Sequence, residues 1–281
     1  MATDQPIISF QVITDTHVTT DPGHVHNVNF DRALKDITRH ADNSCGIMHA
    51  GDITDHGDPE EYRELHRIIG ENREGLPEIR FTLGNHDVGL GDWKARSSLY
   101  YENSGTRSPY HDHWLGGYHF IFLGTEQGLR LHCDLSPVQL QWLEEKLAEQ
   151  AAADKPIFLF LHQPLKNTVA GSMEEQEWYG VVQDEELGHI LSRYPQAILF
   201  TGHTHWELEA KAVMFDGGEQ MATCFNAAST AYLWTDEDEH KDGSQGFYVE
   251  VYADRVLVKG RDFAAGKWVE AAQFVVPLKK H

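Results

Sequence analysis

Cysteine, positive charge and long apolar runs are all scarce in this sequence. Three cysteines lie far apart, so neither a disulfide framework nor a C-x-x-C pair is indicated, and we expect free thiols in a reducing compartment. The chain has 23 Lys and Arg against 44 Asp and Glu, a formal net charge of −21. That charge argues against a nucleic-acid backbone as the main partner. Apolar stretches such as 156–161 are too short to span a bilayer.

The beginning of the sequence has neither a basic start nor a cleavable apolar region, so we expect a cytoplasmic protein without a signal peptide. With 281 residues, 41% of them hydrophobic, the chain can bury a sizeable core. We expect one domain over residues 1–281, with the irregular, aromatic-containing stretches 88–117 and 164–184 as candidate lid insertions. Composition alone leaves the oligomeric state open, including a homo-oligomer.

One pattern recurs along the chain: a short apolar run leads into a polar loop. Such runs precede polar residues in five places: 7–13 before Asp15, 46–50 before Asp52, 79–83 before Asn85, 157–161 before His162, and 197–201 before His203. Their continuous apolar character is typical of strands buried on both faces. The run 119–123 predicts a further strand without such a loop.

Helical patterns separate these predicted strands. Residues 30–40 have one apolar face, and Asp58-Pro59 and Ser136-Pro137 each combine an N-cap residue with a proline at the first helical position. Strands alternating with helices predict an α/β core. Five later segments read as strands of a second sheet packed on the first, with helices outside: 207–215, 221–225, 247–252, 256–259 and 269–276.

The loops after the five strands carry potential metal ligands. They are Asp15-x-His17, Gly51-Asp52-Ile53-Thr54-Asp55, Gly84-Asn85-His86-Asp87, His162, and Gly202-His203-Thr204-His205. Ligands of α/β sheets bind beyond the carboxyl ends of the strands, so these loops are expected to converge. Carboxylate, amide and imidazole donors without thiolate suit Mn, Fe or Zn better than Mg or Ca. Two other H-x-H pairs, at His24 and at His111, follow no predicted strand and carry little weight.

This ordered set of motifs resembles the calcineurin-like metallophosphoesterase superfamily, and within it the bacterial class III cyclic-nucleotide phosphodiesterases and glycerophosphodiesterases. The resemblance implies a four-layer α/β/β/α sandwich of two mixed sheets packed face to face, with helices outside. It also implies two divalent or trivalent metal ions, with Mn or Fe as first choice and Zn as the alternative. The residue assignments that it implies are Asp15, His17 and His205 for the first metal, Asn85, His162 and His203 for the second, and Asp52 bridging both. By the same resemblance His86 is the general acid or transition-state donor, Asp55 orients it, and Asn85 and His86 contact the substrate.

The implied function is a phosphodiesterase, in which a hydroxide bridging the metals attacks a small phosphodiester substrate. The phosphate-binding arginine of protein phosphatases, directly after the second Asp of G-D-x-x-D, is replaced here by His56. Without that guanidinium, a dianionic monoester loses more binding energy than a monoanionic diester does. A phosphomonoesterase at the same site remains an alternative. A non-catalytic scaffold is expected to lack ligands, yet none of the expected positions is missing here. The charge counts against a nuclease, and no membrane partner is expected.

Overall fold

The computed structural model describes residues 5–278, which form two six-stranded sheets with helices on their outer faces. The helices are α1 (Val25–His40), α2 (Pro59–Glu71), α3 (Asn85–Val88), α4 (Trp93–Ser104), α5 (Pro137–Ala148) and α6 (Asp184–Leu191), with a 3-10 turn at Glu174–Gln176. The strands are β1 (Ile8–Ile13), β2 (Ser44–His49), β3 (Ile79–Phe81), β4 (His111–Leu115), β5 (Tyr118–Phe122), β6 (Ile157–Phe160), β7 (Ala197–Thr201), β8 (Met214–Phe215), β9 (Thr223–Asn226), β10 (Leu233–Trp234), β11 (His240–Lys241), β12 (Gln245–Val251), β13 (Arg255–Asp262) and β14 (Lys267–Pro277).

Both large sheets are mixed. The first has the order β14-β13-β12-β1-β2-β3, in which β1, β2 and β3 run parallel and the C-terminal strands are antiparallel. The second has the order β4-β5-β6-β7-β9-β8, with a parallel centre from β5 to β9 and antiparallel edges. Strands β10 and β11 form a separate hairpin.

Three apolar clusters define the four layers. The central cluster joins the inner faces of the two sheets. There the ring centroid of Phe10 on β1 lies 5.1 Å from that of Phe120 and 4.8 Å from that of Phe158. A second cluster lies between the outer face of the second sheet and helices α5 and α6. A third joins the outer face of the first sheet to α1 and α2. The expected four-layer sandwich with helices outside is therefore confirmed.

The expectation that the C-terminal strands form a sheet of their own is wrong. Strand β12 pairs antiparallel with β1, with Phe10 opposite Val249, and β13 and β14 extend the same sheet. The second sheet is built from the middle of the chain together with β9 and β8. The apolar pattern predicts that a segment is a strand, but it does not predict which strand that segment pairs with, here β12 with β1.

Two segment predictions also need correction. The stretch 88–117 is not irregular throughout, because it contains α4 and β4. Helix α4 was not apparent because its apolar residues do not collect on one face of a helical period. Of the predicted strand 207–215, only Met214–Phe215 is a strand. The helix starts at Asp58-Pro59 and Ser136-Pro137 are confirmed as the beginnings of α2 and α5.

A buried ion pair fastens helix α1 to the first sheet. Arg261 of β13 donates from Nη2 to Asp36 Oδ2 at 2.6 Å and from Nε to Asp36 Oδ1 at 3.0 Å. The hydroxyl of Tyr248 on β12 donates to the same carboxylate at 2.8 Å. The residues Asp36 and Arg261 are 8% and 5% exposed, so solvent screens this contact little.

Within residues 5–278, the structure contains no helix with the length and apolar character needed to cross a membrane.

Candidate metal centre

The five sequence motifs converge at the carboxyl ends of the parallel strands. Asp15 and His17 follow β1, Asp52 follows β2, and Asn85 follows β3, all in the first sheet. The second sheet contributes His162 after β6 and His203 and His205 after β7. Of the five groups of potential metal ligands among the described residues, three lie here, each with one ligand atom per residue within 4.8 Å of the others: Asp15–His17–His205, His17–Asp52–His86, and Asp52–His162–His203. The centre therefore lies across the seam between the two sheets.

The backbone at these positions is unusual. Asp15, His17, Asp52, His203 and His205 all have positive φ, between 40° and 70°. Non-glycine residues adopt this left-handed region at some cost, and Asp and His tolerate it better than most residues. Each strand thus ends in a tight loop that turns the side chain towards the centre.

Two motif glycines allow these loops to approach one another. A Cβ on Gly84 would lie 2.1 Å from Asp52 Oδ1, and a Cβ on Gly202 would lie 2.3 Å from Asp15 Oδ2. Any other residue at either position would push an essential carboxylate aside. The G-N-H-D and G-H-x-H motifs begin with glycine for this reason.

In both aspartates one oxygen is held by the protein and the other faces the centre. Asp15 Oδ2 accepts from Thr14 Oγ1 at 2.6 Å and from the backbone N–H of His203 at 3.0 Å. Asp52 Oδ1 accepts from the backbone N–H of His86 at 2.8 Å. The remaining oxygens, Asp15 Oδ1 and Asp52 Oδ2, point at the imidazoles. The hydrogen bonds to the held oxygens fix the orientation of each carboxylate and leave its other oxygen available to bind a metal ion.

The imidazole nitrogens surround these two free oxygens. His205 Nε2 lies 2.9 Å and His17 Nε2 3.7 Å from Asp15 Oδ1. His162 Nε2 lies 3.0 Å and His17 Nε2 3.8 Å from Asp52 Oδ2. Asp52 Oδ2 therefore stands between the two halves of the centre.

Two ligand atoms of the centre are buried without a hydrogen bond of normal geometry. They are Asp15 Oδ1 and His162 Nε2, although the latter lies close to Asp52 Oδ2. Buried polar atoms rarely lack a partner. Both atoms have lone pairs that a metal ion can accept, so the donor set fits the metal ions that the motifs imply.

Close packing of charges shifts the pKa values of the centre. Burial opposes ionisation of Asp15, but His205 and His162 outweigh it and hold the pKa of Asp15 well below its usual range. The pKa of Asp52 is lowered as well, because His162 and His86 outweigh its burial. Both groups are therefore ionised and available as ligands at neutral pH.

The imidazoles respond in opposite directions. Burial lowers the pKa of His17, but contacts with Asp15 and Asp55 outweigh it and raise that pKa to about 10. In the same way Asp52 and Asp15 raise the pKa of His162 to about 9. For His203 burial prevails, and its pKa falls to about 3. A metal ion bound here has to displace protons from His17 and His162.

Asn85 is fixed by both ends of its amide. Its Nδ2 donates to the carbonyl oxygen of Arg130 at 2.9 Å, and its Oδ1 accepts from Nε2 of Gln163 at 3.1 Å. Both Asn85 and Gln163 are buried. The sequence analysis did not identify Gln163, whose only signal is its place directly after His162.

His86 lies at the open side of the centre. Its ring meets the ring of His17 edge to face, with centroids 4.6 Å apart, and its Nδ1 lies 2.7 Å from the backbone oxygen of Asp55. The Asp55 carboxylate, which we expected beside His86, instead lies against His17, with Oδ1 3.3 Å from Nδ1. Asp87 accepts from the backbone N–H groups of Thr54 and Gly84, as expected of a residue that holds this loop.

Tyr232 borders the centre and was missed in the sequence. Its ring centroid is 4.4 Å from that of His205 and 6.0 Å from that of His17. Burial, with Asp15 and Asp52 nearby, raises the pKa of its hydroxyl to about 12. Tyr232 follows β9, whose apolar run ends in a polar turn like the other five. That ending was the signal available for it.

The other two H-x-H pairs have different surroundings. His26 lies in α1 near the rim of the centre, with Nδ1 3.2 Å from the backbone oxygen of His17. His111 and His113 lie on β4, not in a loop, and His111 stacks on Phe122 with ring centroids 4.6 Å apart. Neither pair belongs to the three groups of ligand atoms at the centre.

A cleft of about 470 Å³ opens beside His203. Its walls come from the stretch 171–179, from the loop after β7, and from the hairpin between β10 and β11. The lining residues are Gly171, Glu175, Gln176, Glu177, Tyr179, His203, Thr204, Trp206, Asp236 and Asp238. Four of these residues are acidic, and none is Lys or Arg. Two cations of the candidate lid stretches are paired elsewhere: Arg96 of α4 with Asp58 at 2.6 Å, and Lys166 with Glu174 at 3.3 Å.

Known proteins share this sequence pattern and this fold. The family model described as calcineurin-like phosphoesterase matches residues 8–207. A cAMP/cGMP dual specificity phosphodiesterase of Mycobacterium tuberculosis is 25% identical over 254 residues, which cover 87% of this chain and 76% of that protein. A probable glycerophosphodiester phosphodiesterase of Arcobacter nitrofigilis is 26% identical over 211 residues, covering 69% of this chain and 70% of that protein.

A solved structure of low sequence identity has the same fold. The crystal structure of a dimetal phosphatase from Danio rerio superposes with a TM-score of 0.70 at 13% identity, covering 98% of this chain and all of that one. At this identity the likeness concerns the fold.

Proposed function

Because this chain belongs to the calcineurin-like phosphoesterase family, a group of phosphoric ester hydrolases, we propose that it is a phosphodiesterase with two metal ions. The observation that carries the proposal is the arrangement of Asp52. Its Oδ1 is held by the His86 N–H, while its Oδ2 faces both His162 and His17. A single oxygen between two groups of imidazoles is suited to bridging two cations.

The proposed ligands are the seven positions that the motifs imply. Asp15, His17 and His205 form the first group, His162 and His203 belong to the second with Asn85, and Asp52 is shared. Two metal ions held by these residues would supply a hydroxide nucleophile near neutral pH and would neutralise the phosphoryl oxygens. Imidazole and carboxylate ligands favour Mn or Fe, with Zn as the alternative.

His86 and Asn85 are the proposed substrate contacts. When His86 is protonated, its Nδ1–H donates to the carbonyl of Asp55, which leaves Nε2–H for the leaving oxygen or a non-bridging oxygen. Donors placed where charge develops lower the barrier most in a site that excludes water. Asn85 is already oriented by Gln163 and Arg130, so it positions the phosphoryl group without rearrangement.

The substituent of the diester is proposed to lie in the acidic cleft beside His203. Glu175, Glu177, Asp236 and Asp238 disfavour extra negative charge there. A monoester near neutrality carries almost two charges and a diester carries one. The cleft and the absence of an arginine at position 56 thus both favour diesters of small molecules.

Metal binding tests the centre directly. We expect the wild-type protein to bind two Mn²⁺ per chain and Asp52→Ala to bind well below two, with turnover abolished. Elemental analysis after removal of free metal checks both proteins. Full occupancy in Asp52→Ala would refute the shared position of Asp52. Full absence of turnover in a wild-type protein holding two metals would favour the scaffold alternative.

Substrate choice is a separate prediction. With Mn²⁺ saturating, kcat/KM for bis(p-nitrophenyl) phosphate should exceed that for p-nitrophenyl phosphate at one pH and ionic strength. The reason is the lower charge of the diester beside the acidic cleft. A clear preference for the monoester would move the phosphomonoesterase alternative to first place.

A further inference from the structure

We infer that Asp55 is a positioning residue for His17, and through it for the first metal site, and that its carboxylate does not act on His86. The inference rests on the proposed function, since it assigns His17 as a metal ligand. It concerns the two ring nitrogens of His17, which face opposite sides. Nε2 faces Asp15 Oδ1 at 3.7 Å and His205 Nε2 at 3.2 Å, whereas Nδ1 faces Asp55 Oδ1 at 3.3 Å.

This is the arrangement of a metal-ligating histidine with a supporting carboxylate. Such a histidine uses one nitrogen for the metal and donates the N–H of the other to a carboxylate or carbonyl. The partner fixes the tautomer and the ring orientation, and it makes the ligand more basic. The Asp55 contact is an ion-pair distance and does not meet the geometry of a full hydrogen bond.

His86 does not need the Asp55 side chain. Its Nδ1 bonds to the Asp55 backbone oxygen at 2.7 Å, and that carbonyl is present whatever the side chain is. The backbone of Asp55 is itself held, because its N–H donates to the carbonyl of Val18 at 3.1 Å. Removal of the carboxylate therefore leaves the support of His86 in place.

The second metal site has a different kind of support. His162 Nδ1 lies 2.9 Å from the backbone oxygen of Ala50. A side-chain substitution cannot remove that partner. Loss of the Asp55 carboxylate should consequently weaken one metal site and spare the other.

Substitution of Asp55 is also mild for the fold. Its side chain is 28% exposed, and its second oxygen contacts the exposed ring of His56 at 3.2 Å. Of the two histidines that pair with the Asp55 carboxylate in the described part of the chain, only His17 is buried, so the substitution removes one buried ionic contact. Asp58, three residues further on, provides a matched control because its carboxylate pairs with Arg96 and does not contact the centre.

The experiment compares Mn²⁺ binding by wild-type protein, Asp55→Ala, Asp55→Asn and Asp58→Asn, measured by calorimetric titration. Electron paramagnetic resonance distinguishes isolated from paired Mn²⁺. We expect Asp55→Ala to bind one Mn²⁺ about 10–100-fold more weakly and the other with wild-type affinity. The affinity of Asp55→Asn for this Mn²⁺ should lie between those of Asp55→Ala and the wild type, since the amide oxygen can still accept from the Nδ1–H of His17. Asp58→Asn should match the wild type.

Turnover at rising Mn²⁺ separates the two roles. Excess Mn²⁺ should restore the kcat of Asp55→Ala. His86→Ala should bind both metal ions, but its kcat should stay low at every Mn²⁺ concentration. The inference is overturned if Asp55→Ala binds both Mn²⁺ normally, or if its kcat stays low when both sites are filled. A wild-type protein that binds fewer than two Mn²⁺ would contradict the proposed function itself, and the inference with it.

Discussion

Histidines of this protein differ in acidity according to the groups beside them. His17 and His162 lie against two carboxylates, and their pKa values are raised to about 10 and about 9. His49 is buried and His111 is partly buried, and in both the loss of hydration outweighs the neighbouring groups and lowers the pKa values to about 3 and about 4. Nearby carboxylates thus favour the protonated form of histidine, and burial without a dominant charge favours the neutral form.

His111 makes the acid stability of the fold testable. Its pKa in the unfolded chain is near 6.5, so its contribution to stability is complete above pH 6.5 and is lost as the pH falls through 4. His111→Phe keeps the stack on Phe122 and removes the titration. Between pH 6.5 and 4 the free energy of unfolding of the variant should then fall by about 3 kcal/mol less than that of the wild type. At pH 7 the variant should lose about 1 kcal/mol with the contact to the Phe81 carbonyl.

The measurement is urea unfolding at several pH values, with a chelator present so that metal release does not contribute. The substitution His189→Gln, at an exposed position on α6, is measured alongside as a surface control. Equal slopes for wild type and His111→Phe would show that the acid limb has another origin.

Residue roles were predictable where they depend on local order. The seven predicted ligands lie two to four residues beyond the ends of five strands, and six of them fall within the three groups of neighbouring ligand atoms at the centre. The Asp55 side chain could not be placed in this way, because its direction depends on His17 in another loop. Gln163 and Tyr232 were missed for a similar reason: their partners, Asn85 and His205, are distant in sequence.

At the scale of elements, the position of helix α1 depends on the buried pair Asp36–Arg261. Asp36→Ala leaves the guanidinium of Arg261 buried without its partner, which should lower the free energy of unfolding by about 3–5 kcal/mol. The double variant Asp36→Leu with Arg261→Met should recover most of that loss, since it removes both charges. Denaturant unfolding of the three proteins checks this.

Tyr248→Phe provides a milder comparison within the same contact. It removes one hydrogen bond to Asp36 and should cost about 1–2 kcal/mol. If Asp36→Ala cost no more than Tyr248→Phe, the ion pair would not be what fastens α1 to the sheet.

Elements were predictable from the sequence more reliably than their pairing. Continuous apolar runs identified the central strands, and Asp-Pro and Ser-Pro identified two helix starts. The partner of β1 was not predictable, because strand β12 lies more than two hundred residues away and its apolar pattern fits either sheet. Helix α4 was missed because its stability comes from tertiary contacts, not from an amphipathic pattern.

At the scale of the whole molecule, net charge opposes the approach of an anionic substrate. The chain carries −21, and four acidic residues line the cleft beside His203. Salt shortens the range of this repulsion from about 30 Å at 0.01 M to about 8 Å at 0.15 M. We expect kcat/KM for bis(p-nitrophenyl) phosphate to rise between these two salt concentrations.

The effect should be larger for the dianionic p-nitrophenyl phosphate, which serves as the internal comparison. Mn²⁺ is kept saturating so that salt does not alter metal content. A fall of kcat/KM with salt for both substrates would mean that local positive charge at the centre, and not the net charge, governs their approach.

The pairing of β1 with β12 has a consequence for the order in which the protein is made. All seven proposed ligands, from Asp15 to His205, are synthesised before β12. Yet the loop of Asp15 is completed by later residues, since its backbone oxygen accepts from Ala231 N–H at 3.0 Å and from Ser229 Oγ at 3.2 Å. Pairings this distant form late in folding. The nascent chain therefore carries a full set of ligands well before it has a place to hold a metal.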